Sequence, residues 1–327
     1  MTEAGIRAAL AAGAAGVIAK SINESEAAAR QLDLADYVQL SRDGEPVPWA
    51  RGDLGHSLFN RSGLGGHDPA AWFTTIAALD QSVRAEGRFV AASVILGEPA
   101  QAAALAGLAV ARGVRVVELN VGAPHASEAR AGAITAETDP ARLTAVVRQV
   151  RAATAGAVLW VKLTGLSDNI AGLARAARAG RCRRGRADGP LHGHAARSRY
   201  AEAGARHLGR LWRTLGAADH CRWLALTRRA VGKEFPLVGT NGARTGRDVA
   251  RMVLAGARAV ELTSAVMQGG FAALTQARDT LEQWLTDKQL QLSDVVGAAA
   301  DALGTYGDQP ARPGHWRNFI PPESREP

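Results

Sequence analysis

The sequence contains little cysteine and few aromatic residues. Only two of its 327 residues are cysteine, Cys182 and Cys221, and aromatic residues make up 5% of the chain. Two cysteines provide neither a disulfide framework nor the spacing of a structural metal site, so a reducing, cytoplasmic compartment is the expected location. The chain also lacks an apolar run long enough to span a bilayer and a basic region ahead of a hydrophobic segment. We therefore expect neither a signal peptide nor a membrane partner.

Acidic residues are outnumbered by basic ones, which gives a net charge of +8. Such an excess ordinarily indicates nucleic acid as a partner. Here the excess is confined to residues 181–220, which contain nine arginines and three acidic residues. No aromatic platform or RNA-binding motif accompanies these arginines, so nucleic acid is not expected as a partner. No metal is expected either, because no standard ligand spacing relates the four histidines of this segment, which are His192, His194, His207 and His220.

Apolar, β-branched runs that end in turn residues recur along the chain and predict buried strands. The clearest is VRVVELNVGAP at 114–124, which carries Asn120 at its end. Similar runs predict strands at 16–22, 90–96, 157–163, 236–240 and 259–264. Helical segments are predicted between and around them at 4–14, 69–86, 100–112, 141–154, 167–179, 221–232, from Thr245 onward, 271–288 and 293–303. This alternation is typical of an α/β fold, and the length suits one barrel or two smaller domains.

Three parts of the sequence depart from the alternation. The chain opens with a helix where a barrel opens with a strand, so we expect the first strand to be absent. Residues 181–220 contain no valine or isoleucine, although the spacing of the flanking strands, about 78 residues against about 43 for the preceding pair, leaves room for another strand and helix. Residues 23–64 are polar and expected to be irregular, in the service of an active site. We assign residues 1–306 to the barrel and 307–327 to an extended tail.

The sequence resembles the dihydroorotate dehydrogenase-like flavoproteins, which are (β/α)8 TIM barrels that bind FMN. The resemblance is carried by GVIAKSI at 16–22, SLFNRSGL at 57–64, ELNVGAP at 118–124, WVKLTG at 160–165 and the glycine-containing run at 238–270, in the order and at the spacing of the family. It implies an FMN-dependent oxidoreductase of pyrimidine biosynthesis that transfers hydride from a dihydropyrimidine-like small molecule to flavin. A homodimer is also implied.

The resemblance assigns roles to particular polar residues. Lys20 and Lys162 would contact the flavin, with Lys162 stabilising its anionic reduced form. Asn120 and Asn60 would bind the substrate, because an amide both donates and accepts hydrogen bonds. Backbone N–H groups at glycine-containing turns would hold the phosphate. The full expected FMN set is Lys20, Ser21, Asn120, Lys162, Gly239, Asn241, Gly242, Thr263 and Ser264. An ordinary structural role, as a strand-end lysine or a turn-capping side chain, is the alternative for each.

The chain departs from the family at the position of the catalytic base. The family has a cysteine or serine three residues after the asparagine, and this chain has Ala123, which cannot accept a proton. His125 and Ser127 lie close by in the sequence and are the candidate bases, since histidine titrates near neutral pH. Gly65 and Gly66 stand where the family has another substrate-binding asparagine. Three alternatives follow: an active oxidoreductase, an inactive barrel remnant, and a phosphate-binding barrel without flavin.

The family places a hydrophobic sixth strand within the region of residues 181–220. A shifted reading frame would encode an apolar segment there, so we expect a frameshift that opens near residue 180 and closes near residue 221, together with a truncated start. A real arginine-rich surface insertion is the alternative. Sequencing the DNA around codons 1, 180 and 221 tests this expectation. Compensating insertions or deletions and an upstream in-frame strand are expected, whereas clean reading frames would contradict it.

Overall fold

The computed structural model describes most of the chain. The described residues are 2–23, 32–33, 35–41, 43–61, 63–122, 137–165, 167–181, 191–193, 210–212, 216–304, 306–308 and 310–324.

Helices and strands alternate along most of the described residues. The first half of the chain contains α1 (Glu3–Ala11), β1 (Gly16–Ile18), β2 (Asp36–Leu40), β3 (Pro46–Val47), β4 (Ser57–Arg61), α2 (Pro69–Val83), β5 (Phe89–Ile95), α3 (Pro99–Ala111), β6 (Val116–Asn120), α4 (Pro140–Ala153) and β7 (Val158–Leu163). The second half contains α5 (Ile170–Arg181), β8 (Leu191–Gly193), β9 (Arg210–Trp212), α6 (Gly216–Val231), β10 (Leu237–Gly239), α7 (Gly246–Leu254), β11 (Ala257–Val260), α8 (Ser264–Gly269), α9 (Ala272–Asp287), α10 (Leu292–Val295) and α11 (Ala298–Asp301). Among all the described residues, no helix combines the length and the apolar character needed to cross a bilayer.

A parallel sheet forms the centre of the molecule. Its strand order among the described residues is β1-β5-β6-β7-β8-β10-β11, with β1 and β11 as the end strands. Because neighbouring strands in this order follow one another along the chain, with helices between most of them, the sheet has the connectivity of a (β/α)8 barrel, as predicted. All six strands predicted from the sequence are present within a few residues of their expected bounds.

The two faces of the sheet pack against different partners. Val117 and Leu119 of β6 join the main core, where the helices cover the sheet. Their neighbour Val116 points to the opposite face and forms a separate cluster with Ala91 and Trp160, against which Ile18 and Phe89 pack. Alternate residues of a strand point to opposite faces, so this second cluster lies on the barrel interior and forms its apolar floor.

Gly16 makes room for this floor. A Cβ atom at position 16 would lie 2.3 Å from the ring of Phe89, which pairs with Gly16 across the β1–β5 ladder. Phe89 also makes an edge-to-face contact with Trp160, with 5.2 Å between the ring centroids. A side chain at position 16 would displace the aromatic pair, so glycine is required by close packing at this site.

The predicted helix starts are confirmed. The side chains of Asp68 and Asp139 cap α2 and α4, each followed by a proline at the first helical position. Thr245 and Asp248 form the predicted capping box at the start of α7. One helix prediction was wrong: residues 293–303 form two short helices, α10 and α11, because the chain turns at Gly297, whose φ is 78°.

The segment 23–64 was wrongly predicted to be irregular. Its described residues include β2, β3 and β4, which form an antiparallel sheet in the order β3-β2-β4-β9. The backbone amide and carbonyl of Ala50 both bond the buried side chain of Gln39, which holds the connection after β3. The strands escaped detection because they are short and only partly buried, so their sequences carry little apolar alternation.

Residues 181–220 contribute a strand to each sheet. Strand β8 pairs in parallel with β7 and β10, so it occupies the sixth-strand position whose sequence signal is missing. Strand β9 pairs with β4 of the antiparallel sheet. Backbone hydrogen bonds build a ladder whatever the side chains are, which explains why a strand can occur here without valine or isoleucine. In the described part of residues 307–327, short 3-10 turns occur at His315–Phe319 and Pro322–Ser324.

A buried carboxylate ties α2 to the sheet. Asp80 has no exposed surface, and its two oxygens accept hydrogen bonds from Nε and Nη2 of Arg115 at 2.6 and 2.8 Å. The amide of Val90 donates a third, at 3.0 Å. Burial raises the pKa of the Asp80 carboxyl, but the hydrogen bonds from Arg115 and Val90 outweigh it and hold the pKa below its usual range.

We expect Asp80→Asn to lower the free energy of unfolding by about 2–3 kcal/mol near neutral pH, because it removes the charge of a buried carboxylate that accepts two hydrogen bonds from the partly exposed Arg115. Asp279→Asn is the matched control, since the pair between Asp279 and Arg278 is exposed on both sides and such pairs contribute at most about 1 kcal/mol. The difference is measured by urea unfolding.

The same comparison has a defined pH dependence. The pKa of Asp80 is lowered in the folded state. Its contribution to the free energy of unfolding is therefore complete above the ordinary carboxyl pKa and disappears as the pH falls through the lowered value. The stabilities of wild type and Asp80→Asn should therefore converge in acid. A gap that stays constant down to the acid transition would show that Asp80 does not act through its charge.

Candidate functional site

A β-bulge directs Lys20 and Ser21 at the carboxyl end of β1. Ile18 pairs with Ala91 of β5, and Ile22 makes an isolated bridge with Val94. Three residues on the β1 side therefore face two on the β5 side. This extra residue shortens the strand predicted for 16–22 to Gly16–Ile18 and places Lys20 and Ser21 in the bulge. Bulges of this kind re-aim side chains and are common beside active sites.

Lys162 of β7 lies between two carboxylates inside the barrel. Its Nζ donates a hydrogen bond to Oε2 of Glu261 at 3.2 Å and lies 3.9 Å from Oε2 of Glu118. All three side chains are largely buried, with exposed fractions of 14%, 16% and 1%. Glu261 directly follows β11, so this ion pair joins the middle of the strand order to its last strand.

A chain of hydrogen bonds leads from the bulge to the same cluster. Oγ of Ser93 donates to Oε1 of Glu118 at 2.7 Å, and Oγ of Ser21 lies 2.8 Å from Oγ of Ser93. A serine hydroxyl has one proton, and that of Ser93 is directed at Glu118, so Ser21 is the donor to Ser93. The two serines thus link the bulge of β1 to Glu118, the carboxylate beside Lys162.

Lys20 and Lys162 lie close enough to influence each other. Burial, and then the positive charge of Lys162, lower the pKa of Lys20. The chain segment after β4 also contacts Lys20: the amide of Gly65 donates to the carbonyl of Ser21 at 2.9 Å, and a Cβ at position 65 would lie 3.5 Å from Cγ of Lys20. The motif at 57–64 therefore leads the chain over the end of β1.

Asn120 lies beside Lys162 at the carboxyl end of β6. The two residues pair across the β6–β7 ladder, and the side chain of Asn120 is buried. Its Oδ1 accepts a hydrogen bond from the amide of Gly122 at 3.0 Å. This bond orients the amide group, so the turn-capping role predicted as the alternative is present. The hydrogen bond occupies the side-chain carbonyl oxygen of Asn120, and it also fixes the position of the side-chain NH2 group.

The turn after β10 has an unusual backbone. Asn241 and Gly242 have φ values of 67° and 87°, so two successive residues are left-handed. Gly239, at the end of β10, is packed closely: a Cβ there would lie 3.2 Å from side-chain atoms of Leu224 and Met252. Thr263 and Ser264 begin α8 beyond β11, and Thr263 is exposed. These residues follow adjacent strands, so they lie at the same end of the barrel as Lys20 and Lys162.

His220 of α6 lies against the same turn. It is buried, and burial lowers its pKa to about 4, while the neighbouring backbone of Asn241 offsets part of the shift. Its ring also meets that of Trp223 edge-on, with the centroids 5.8 Å apart. His220 is therefore neutral at physiological pH. The described residues contain no group of three His, Cys, Asp or Glu side chains arranged to bind a metal ion.

Three hydrogen bonds dock the connection after β3 on the barrel. The carbonyl of Gln268, in α8, accepts a hydrogen bond from the amide of Gly52 at 2.7 Å, and its side chain donates to the carbonyl of His56 at 3.2 Å. The guanidinium of Arg244, just after the turn at Asn241, bonds the carbonyl of Leu54. The antiparallel sheet is thereby joined to the two segments that follow β10 and β11.

The structure brings several residues of the predicted set to one end of the barrel, but it leaves others outside the described part. Lys20, Ser21, Asn120 and Lys162 form a single polar cluster. The candidate bases His125 and Ser127, together with Ala123, lie outside the described residues. For Asn60, the backbone is described as part of β4 and the side chain is not. The assigned roles of all these residues stay predictions.

Sequence reasoning missed Glu118, Ser93 and Glu261. A signal for Glu118 was present, because residues two apart in a strand share a face and Glu118 precedes Asn120 by two. A carboxylate within an apolar strand also requires a partner. No local signal connects Glu261 with Lys162, which is 99 residues away in the sequence.

We expect Lys162→Met to lower the free energy of unfolding of the FMN-free protein by about 3–5 kcal/mol, because it leaves the buried carboxylate of Glu118 without its cation. Lys288→Met, at an exposed position in the same chain, should change it by no more than about 0.5 kcal/mol. Chemical unfolding at neutral pH measures both. Equal stabilities of the two variants would contradict the inferred role of the ion pairs.

Comparison with known proteins gives two consistent results. The chain is 34% identical over 193 residues to the catalytic subunit of dihydroorotate dehydrogenase B (NAD(+)) of Desulforudis audaxviator (strain MP104C); the match covers 57% of this chain and 59% of that protein. The chain thus spans about three fifths of the length of this curated relative. No family model matches the chain.

A solved structure shares the fold. The crystal structure of dihydroorotate dehydrogenase from Eimeria tenella, in complex with ferulenol, superposes with a TM-score of 0.61 at 14% sequence identity, over 80% of this chain and 77% of that chain. At this identity the likeness concerns the fold, and it agrees with the strand order described above. The sequence match confirms the resemblance predicted from the motifs: the chain is similar to a dihydroorotate dehydrogenase catalytic subunit, and it has the TIM-barrel fold of such proteins.

Proposed function

We propose that this chain is an FMN-dependent oxidoreductase of pyrimidine biosynthesis, which transfers hydride from a dihydropyrimidine-like substrate to flavin. One observation carries the proposal. Lys20, on the bulge of β1, and Lys162, on β7, are both largely withdrawn from solvent and influence each other electrostatically, and Lys162 lies beside Asn120 at the carboxyl ends of the strands, where TIM barrels carry their active sites.

The chemistry of this cluster fits a flavin ring. The edge of an isoalloxazine alternates hydrogen-bond donors and acceptors, and the cluster supplies ammonium, hydroxyl and amide groups. Beneath it, the apolar floor of Val116, Trp160 and Phe89 closes the barrel interior. The two lysines and two glutamates of the cluster carry formal charges of +2 and −2, which suits a ring that is neutral when oxidised.

The turn after β10 fits a phosphate. Asn241 and Gly242 have left-handed φ values, and turns with such residues can direct successive backbone N–H groups toward an anion. Thr263 and Ser264, which follow the neighbouring strand, would add hydroxyl groups. His220 is neutral beside this turn and would place no fixed charge against the phosphate. In this assignment Gly239, Asn241, Gly242, Thr263 and Ser264 hold the phosphate end, and Lys20, Ser21, Asn120 and Lys162 hold the ring.

FMN, when bound, supplies a reversible acceptor for a hydride. The residues of the chain would orient the reactants and manage charge and protons around that acceptor. Lys162 would stabilise negative charge at the ring, because a fixed ammonium in a buried site requires no reorganisation. Asn120, oriented by its bond to Gly122, would hold the substrate ring together with Asn60. His125 or Ser127 would remove the substrate proton in place of the family's base, since Ala123 cannot.

We expect purified protein mixed with FMN to retain it after desalting, as measured by the visible flavin spectrum. Lys20→Ala and Lys162→Ala should each weaken FMN binding about tenfold or more, since a hydrogen bond to a charged group contributes about 1.5–3 kcal/mol. Lys288→Ala is the control at an exposed position and should bind FMN normally. Added dihydroorotate should bleach the spectrum of the wild type in the absence of oxygen.

Two other results would replace the proposal. A cooperatively folded protein that retains no FMN but binds inorganic phosphate would be a phosphate-binding barrel without flavin. Aggregated material without cooperative unfolding would be an inactive barrel remnant. If the protein retains FMN but dihydroorotate does not bleach it, the assignment as a flavoprotein stands and the proposed substrate is wrong. The cytoplasmic location, expected from the cysteine content, and the homodimer, implied by the resemblance, stay predictions.

A further inference from the structure

Lys162 has a carboxylate on each side, and the two differ in their surroundings. Glu118 lies 3.9 Å from Nζ and also accepts a hydrogen bond from Ser93. Glu261 is closer, at 3.2 Å, and directly follows β11, the last strand in the order of the sheet. Of these two carboxylates, Glu261 therefore acts more strongly on the ammonium of Lys162.

A carboxylate at this distance changes what the lysine presents to a ligand. The electric field of an ion pair falls off faster with distance than that of a single charge, so a group beyond Lys162 experiences only part of its positive charge. Both side chains are largely buried, and solvent therefore screens the pair weakly. A lysine paired in this way stabilises a neighbouring anion less than a lysine without a carboxylate would.

We propose that Glu261 is a charge-setting residue, which partly neutralises Lys162 and thereby makes the bound flavin harder to reduce. The proposal rests on the proposed function, because it assumes that FMN binds beside Lys162. It assigns to Glu261 no contact with substrate and no proton transfer. Its effect passes entirely through the ion pair with Lys162.

The direction of the effect separates this role from a purely structural one. If Glu261 sets charge, replacing it by glutamine keeps the size and a hydrogen-bond acceptor but exposes the flavin to a larger share of the charge of Lys162. Reduction to the anionic flavin then becomes easier. If Glu261 only holds Lys162 in place, the same replacement releases the lysine and makes reduction harder.

The experiment compares FMN-loaded wild type with Glu261→Gln by two measurements that do not depend on turnover. The first is the reduction potential of the flavin. The second is the dissociation constant of sulfite, an anion that adds to oxidised flavin and bleaches its colour. We expect Glu261→Gln to favour flavin reduction about tenfold, which is about 30 mV for a two-electron couple, and to bind sulfite about tenfold more tightly.

Two control variants accompany the measurement. Glu234→Gln removes a carboxylate that is 84% exposed and pairs with Arg258 on the surface, so both values should match the wild type. Glu261→Asp keeps the charge and should restore values near those of the wild type. If Glu261→Gln is isolated without FMN, Glu118→Gln takes its place, and the same direction of change is expected.

The outcomes distinguish the two proposals from each other. A wild type that retains no FMN overturns the proposed function and this inference with it. A wild type that retains FMN, with Glu261→Gln unchanged or harder to reduce, overturns the inference and leaves the proposed function standing. Easier reduction in Glu261→Gln, with Glu234→Gln unchanged, supports it.

Discussion

The interior of this barrel depends on one buried ammonium group. Lys162 is paired with carboxylates that come from two other strands, and a buried charge is tolerated only when such partners are in place. The requirement acts in both directions, because Glu118 is buried and needs the lysine as much as the lysine needs it. The polar residues at this level of the barrel therefore form one interdependent set, to which Ser93 and Ser21 are joined by hydrogen bonds.

Layering of the barrel interior explains why this set lies where a ligand could reach it. Near the starts of the strands the interior is filled by Phe89, Val116 and Trp160, so the barrel is closed from below. The polar layer follows one step higher, and the strand ends follow above that. The bulge at Lys20 and Ser21 gives the β1 side one residue more than β5 at this level of the barrel. The backbone irregularity thus increases the number of polar groups directed to the mouth.

Much of the architecture was predictable because it depends on local patterns. The six apolar runs became strands, and Asp68, Asp139 and Thr245 began helices as their sequences indicated, because caps are decided by neighbouring residues. Patterns failed where pairing is decided by distant partners. Strand β8 has no apolar signal and exists through backbone bonds to β7 and β10, and the antiparallel sheet is built from strands too short to show a period.

The candidate site likewise consists of residues that local patterns identify and of contacts that they do not. From the motifs alone, Lys20, Asn120 and Lys162 were identifiable as residues at strand ends, since a polar residue that closes an apolar strand is visible in any sequence. The motifs of the sequence also indicated the resemblance to dihydroorotate dehydrogenases. Only the tertiary structure decided that Glu261 lies against Lys162 and that Ser21 leads through Ser93 to Glu118, because these contacts join strands far apart in the chain. Such contacts arise when the parallel sheet brings its strand ends together, and no periodicity along a single segment records them.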